Sequence, residues 1–161
     1  MPRLIPHLWY AKDADKAAEF YASIISDSRV LSVEVMPGDS PSGPEGSVKL
    51  VKFTVLGQEV WAITAGPHHE FNDAISLLIE CDTQAEIDRL WEGLGEGGKY
   101  VACGWLNDKF GLRWQITGKR VAELMSDPDR DKARRATKAF LNMVKVDIAA
   151  AEAAAEGRKA A

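Results

Sequence analysis

The chain has 161 residues, of which 46% are apolar and 27% charged, with a formal net charge of −4. That balance fits one globular domain or two small intertwined modules with a real core. It gives no electrostatic case for a nucleic-acid partner, and no apolar run approaches the ~20 residues that cross a bilayer. Met1 to His7 lacks the apolar core and cleavage site of a secretory leader. Cys81 and Cys103 stand in apolar, strand-like context without CxxC spacing. Free, buried thiols in a cytoplasmic protein are therefore expected.

In chain order, Leu4 to Tyr10 reads as a strand. Asp13 then offers a cap to a helix reaching about Ile25, with Ala17, Phe20, Tyr21 and Ile24 at helical spacing. Arg29 to Met36 alternates as a strand, and the Pro- and Gly-rich stretch 37–46 must be a loop. Ser47 to Leu56 and Glu59 to Ala65 read as strands joined by a tight Gly57-Gln58 hairpin. Ala74 to Cys81 is a further strand. Thr83-Gln84-Ala85-Glu86 is a capping box that starts a helix carrying Ile87, Leu90, Trp91 and Leu94 on one face. Gly95-Glu96-Gly97-Gly98 ends that helix, and strand-like pieces continue to Thr117. Beyond Lys119 the chain reads as helical: Val121 to Met125, then Asp129 to Val144 behind a start signal at Asp127-Pro128, then an alanine-rich segment from Asp147 that frays after Ala155.

The order is β-α-β-β-β twice, followed by helices. Period-two alternation separates two faces. Leu8, Tyr10, Val51, Phe53, Val55, Trp61, Ile63, Ile75, Leu77, Ile79, Leu112, Trp114 and Ile116 form the apolar set expected against the helices. His7, Trp9, Leu50, Lys52, Thr54, Val60, Ala62, Thr64, Ser76, Leu78, Glu80, Arg113, Gln115 and Thr117 form a mixed set. Alternation alone equally describes a sheet with one wet face. The basic cluster Arg130, Lys132, Arg134, Arg135 and Lys138, interleaved with Asp127, Asp129 and Asp131, reads as a solvated helix face. Phe140, Leu141, Val144 and Ile148 are expected to cover an apolar surface in the same chain or a partner.

Several groups could carry chemistry. His7 could serve as a ligand or base. His68-His69-Glu70 resembles a metal cluster on paper, yet adjacent extended residues point opposite ways. Arg113 and Gln115 share a strand face, where an arginine fork suits an anionic ligand; an Arg113–Glu80 ion pair is the competing expectation. Trp9 is the natural apolar wall, and Trp105 is either a second wall or core. Gly93 to Gly98 closes a helix rather than opening one, which speaks against a phosphate-binding loop or a nucleoside-cofactor site.

Ala18-Glu19-Phe20-Tyr21, Pro37-Gly38-Asp39 with Pro44-Glu45-Gly46, Gly66-Pro67 with Phe71-Asn72-Asp73-Ala74-Ile75-Ser76, and Cys103-Gly104-Trp105 through Trp114-Gln115-Ile116 occur in that order. Together they resemble the PhnB-like branch of the vicinal oxygen chelate superfamily, the glyoxalase and bleomycin-resistance proteins. That branch is often labelled 3-demethylubiquinone-9 3-methyltransferase.

The resemblance implies an α+β fold of two βαβββ modules, about 1–66 and 72–118, whose strands form a curved mixed sheet. A C-terminal helical extension, 119–161, would follow. It also implies a homodimer and a strand-lined cup whose pocket residues would be His7, Trp9, Lys52, Thr64, Ser76, Glu80, Trp105, Arg113 and Gln115. Metal-dependent members of the superfamily draw ligands from the first and last strands of each module. The matching positions here are Ile5 or His7, Ala62, Ala74 or Ser76, and Gln115, where an amide replaces the usual acid. One good ligand remains, so no cofactor is expected, and a divalent metal site of the usual kind is not. In place of the branch's Asn-Gly-Gly turn the chain has Ala65 before Gly66-Pro67. The expected function is small-molecule binding, the ligand anionic or aromatic. The alternatives are a metal-dependent lyase, isomerase or dioxygenase, and a metal-independent enzyme with His7 or Glu80 as base.

Overall fold

The structure is a computed structural model, and residues 1–158 are described. The chain divides into two compact units, one spanning Met1–Phe71 and the other beginning at Asn72. Each is built on a βαβββ module.

In the first unit the elements are β1 (His7–Tyr10), α1 (Ala14–Ile24), β2 (Val30–Val35), β3 (Lys49–Val55) and β4 (Gln58–Thr64). The strands lie in the order β1-β4-β3-β2, with β1 parallel to β4 and the other pairs antiparallel. Small residues on α1, Ala14, Ala17 and Ala18, allow close approach to the sheet, and Tyr21 beside them is fully buried. Tyr21 shares a 3.0 Å hydrogen bond between hydroxyls with Tyr10. Opposite them Val51, Phe53, Val60 and Ala62 are buried. The expected helix face is thus displaced: Phe20 and Ile24 are only half-buried.

Two expectations about this unit fail on local geometry. Asp13 precedes α1 in a left-handed conformation and its side chain makes no cap bond. The cap comes from across the sheet, where the Ala14 amide donates to Thr64 Oγ1 at 3.0 Å. The hairpin between β3 and β4 turns on Leu56-Gly57, not Gly57-Gln58. Both have positive φ, 49° and 76°, and Val55 pairs with Gln58. Two consecutive left-handed residues match the right-handed twist of the flanking strands.

In the second unit the elements are β5 (Leu77–Cys81), α2 (Gln84–Gly95), β6 (Lys99–Tyr100), β7 (Trp105–Asn107) and β8 (Arg113–Gly118), with strand order β5-β8-β7-β6. β5 runs parallel to β8 and the remaining pairs are antiparallel. The capping box forms as expected: Thr83 accepts from the Glu86 amide, and Glu86 accepts from the Thr83 and Asp82 amides. These bonds hold the Glu86 carboxyl below its ordinary range. Ile87, Leu90, Trp91 and Leu94 are buried on one face of α2, packing onto a sheet face with Leu106, Trp114 and Ile116 fully buried. Tyr100 stacks on Trp91 at 4.8 Å. Ile75 lies before β5 and stays exposed, outside the core.

Three helices complete this unit: α3 (Lys119–Met125), α4 (Arg130–Leu141) and α5 (Ile148–Ala155). The cap of α4 is Asp129, whose side chain accepts from the Asp131 and Lys132 amides; Asp127 instead accepts from the Asp129 amide. Pro128 therefore precedes the cap rather than following it. After α5 the chain closes in order through residue 158, with Gly157 at φ 73° and the Arg158 amide bonded to Ala153. The fraying expected for 159–161 lies outside the described residues.

The segment between α4 and α5 is tied down. Met143 and Val144 carbonyls accept from the Cys103 and Gly104 amides. Gln84 bonds the Val146 carbonyl and the Ile148 amide, and Lys145 pairs with Asp88 at 2.6 Å. Val146 is fully buried, whereas Leu141 and Val144 are exposed. Of the apolar quartet expected to cover a surface, Leu141 and Val144 stay more than half exposed among the described residues.

Candidate functional site

Each sheet has a helix-covered face and an opposite, open face. In the first unit, strand pairing sets His7, Trp61, Lys52 and Ser32 in one row of the open face, and Trp9, Ile63, Leu50 and Glu34 in the next. The phase of β4 is the reverse of the expected one. Val60 and Ala62 face the helix, and Trp61 and Ile63 face out. Ala62, the position carried over as a metal-ligand match, is therefore fully buried under α1. Thr64, a member of the expected pocket set, uses its hydroxyl to cap α1. Both phases of Val60-Trp61-Ala62-Ile63 are apolar, so alternation could not choose between them. The alanine-rich face of α1 selects the smaller pair.

The polar groups of this first face are largely satisfied by one another. Lys52 pairs with Glu34 at 2.9 Å and lies 4.9 Å from the Trp61 ring centroid. Trp61 Nε1 donates to Glu59, which also takes a bond from Arg3. These two donors hold the Glu59 carboxyl below its ordinary range. Trp9 Nε1 donates to the Gly66 carbonyl, and its ring meets His69 edge-on at 4.8 Å. His68 is a second, more distant neighbour at 6.2 Å. The paired histidines thus brace a tryptophan.

The second unit differs. Pairing aligns Lys99, Asn107 and Arg113 across β6, β7 and β8, and aligns Trp105, Gln115 and Leu78 across β7, β8 and β5. Arg113 is fixed by Asp73 at 2.8 Å and by the Gly111 carbonyl. Its expected partner Glu80 stands exposed on the edge strand instead. Gln115 donates to Ser76 Oγ at 2.8 Å. The Lys99 ammonium has no partner among the described residues. Asn107 Oδ1 is buried and has no hydrogen-bond partner among the described residues. A cavity of about 410 Å³ opens beside these groups, lined by Asp73, Lys99, Val101, Cys103, Trp105 and Asn107 among others. Sequence reasoning missed Lys99 and Asn107, because two-residue β6 and three-residue β7 carry too little pattern to set a phase.

The hairpin that presents Asn107 and Arg113 is organised by one buried carboxylate. Asp108 Oδ1 accepts from the Phe110 and Leu112 amides, and Oδ2 accepts from Trp114 Nε1 at 2.8 Å. A Cβ on Gly98 would come within 2.2 Å of the Asn107 carbonyl, so β6 can lie against this hairpin only with glycine there.

Among the described residues no three of His, Cys, Asp or Glu come together as a metal-binding group. His7 stands in a row with Trp61, and Gln115 is engaged with Ser76. Cys81 is buried, which pushes its thiol up to about 11; Cys103 is half-buried at φ 58° rather than buried as expected. Among the described residues no helix is long and apolar enough to cross a membrane.

Residues 2–117 match the family described as 3-demethylubiquinone-9 3-methyltransferase. A Bacillus cereus PhnB protein carrying the same description is 31% identical, covers 73% of this chain and 99% of its own, and superposes with a TM-score of 0.64. The fosfomycin resistance protein FosX from Mesorhizobium loti is 13% identical over 72% of this chain and 90% of its own, with a TM-score of 0.52. A mutant FosX from Listeria monocytogenes, solved with Mn(II) and 1S,2S-dihydroxypropylphosphonic acid, is 15% identical over 70% and 88%, also at 0.52. The two FosX likenesses speak to fold. No curated protein matches the chain.

Proposed function

For a chain that belongs to the 3-demethylubiquinone-9 3-methyltransferase family, in the PhnB-like branch of the vicinal oxygen chelate superfamily, we propose the role of a small-molecule-binding protein that needs no resident metal. The ligand rests on the open face of the second sheet. One observation carries this reading: a cation, Lys99, and a buried acceptor, Asn107 Oδ1, both unpaired among the described residues, sit beside Trp105 in one cavity. A buried acceptor without a partner is costly, and turning that amide toward a ligand donor in the cavity would remove the cost. The matching chemistry is a small acid that also carries a hydroxyl or N–H and an apolar or aromatic part for Trp105 and Val101.

The methyltransferase description finds no support in the site. Gly95 lies at the C-terminal end of α2, and Gly97 follows it at φ 69°. This glycine run closes a helix, where a phosphate-cradling loop would open one.

The reading includes a cytoplasmic homodimer. Two free thiols support the compartment. The apolar stripe Leu31, Val33 and Val35, exposed on edge strand β2, supports the assembly.

Thermal-shift titration with hydroxylated aromatic and aliphatic acids, with and without chelator, tests the binding role, since a ligand of the folded state raises the melting temperature by mass action. The expected result is a chelator-independent shift that Lys99→Glu abolishes. A shift that requires an added divalent ion would replace this reading with the metal-dependent one. A shift unchanged in Lys99→Glu would remove the site. Light scattering tests the dimer.

A further inference from the structure

Helix α4 carries five cations against one carboxylate, in a chain whose net charge is −4. The structure splits them into two groups. Lys132 bonds Glu156 at 3.0 Å, and Arg135 Nε donates to the Ala155 carbonyl at 2.9 Å, so these two hold α5 in place. Arg130, Arg134 and Lys138 follow one another at i, i+4 and i+8 and remain exposed. Arg130 and Lys138 side chains have no ion pair among the described residues, and Arg134 meets only its exposed neighbour Asp131.

This ridge borders a groove of about 450 Å³ with Met125, Ala133, Thr137 and Leu141 at its apolar side. Leu141 is 61% exposed. The arrangement works against the helix by itself. Like charges four residues apart repel, and Arg130 occupies the first turn, where the helix dipole favours acids. A bound counter-charge would offset both terms.

We propose that this groove docks an acidic amphipathic helix of another protein. Carboxylates at helical spacing would face Arg130, Arg134 and Lys138, and one apolar side chain would sit between Met125 and Leu141. Charge complementarity names the occupant. The ridge spans eight residues, roughly 12 Å, or about two turns of a partner helix. The apolar side of the groove suits a side chain rather than a phosphate backbone, and the chain's overall negative charge disfavours a long polyanion. The surface lies beyond residue 117, where the family match ends, so it is a property of this chain's own extension.

Fluorescence anisotropy of the full chain with a labelled amphipathic Leu–Glu helical peptide tests the proposal. A scramble of identical composition, an anionic lipid vesicle and a single-stranded RNA are the competitors. The expected result is peptide binding that exceeds the scramble by about tenfold and falls by about tenfold or more in Arg134→Glu/Lys138→Glu. It should fall several-fold in Leu141→Ser, and no variant should melt below the parent, since all three side chains are exposed. Equal binding of peptide and scramble, indifference to these substitutions, or a preference for the vesicle or the RNA would overturn it.

Discussion

The two sheets share one topology and use their open faces differently. On the first, charged and ring N–H groups close on one another: Lys52 with Glu34, Trp61 with Glu59, Trp9 with Gly66. On the second, Lys99 and Asn107 Oδ1 are left without partners among the described residues. A face that satisfies itself gains little from a small molecule, whereas a face that leaves a buried acceptor bare is stabilised by one. The difference lies in short stretches of sequence, since the fold supplies both faces equally.

The largest test removes the support of the second face. Asp108→Ala strips three donors of their shared acceptor and should cost about 3 kcal/mol in urea denaturation, taking ligand binding with it. Asn107→Leu is sharper. It should leave stability unchanged or raise it by about 1 kcal/mol, because an unmet acceptor disappears, while ligand-dependent thermal shift falls by about tenfold in affinity. A destabilised Asn107→Leu that keeps its ligand response would erase the contrast between the faces.

Thr64→Ala probes the first unit. It should cost about 1 kcal/mol through the lost α1 cap and leave ligand response unchanged; a weakened response would keep Thr64 in the binding set. The smallest effect concerns acid. Lys49 donates to Asp15 at 2.9 Å and holds that carboxyl below its ordinary value. A lowered carboxylate stabilises the fold above its unfolded pKa of about 3.9 and loses that contribution as pH falls through the lower folded value. Lys49→Met should therefore flatten the decline in stability below about pH 4, by under about 1 kcal/mol, as read by melting temperature against pH.

Much of the architecture was legible in the residues. The doubled element order, the Thr83–Glu86 capping box and the buried face of α2 follow from spacing alone. The site was less so. Val60 to Ile63 is apolar in both phases, and only the alanines of α1 decide which pair goes inward. Thr64 caps a helix that begins fifty residues before it, a contact no local pattern encodes. Lys99 gains its meaning from cross-strand alignment with Asn107 and Arg113. The positive charges of α4 read as one solvated cluster until α5 claims Lys132 and Arg135.

The bonds from the Cys103 and Gly104 amides to Met143 and Val144 have a practical consequence. They fasten the loop beside Trp105 to a stretch beyond residue 117, where the family match ends. Slow deuterium uptake at these two amides would act as a built-in gauge of whether the C-terminal helices are seated. A fragment ending at Gly118 should lose that protection first at the very wall of the cavity, so trimming the chain to family length would loosen the binding face it was meant to isolate.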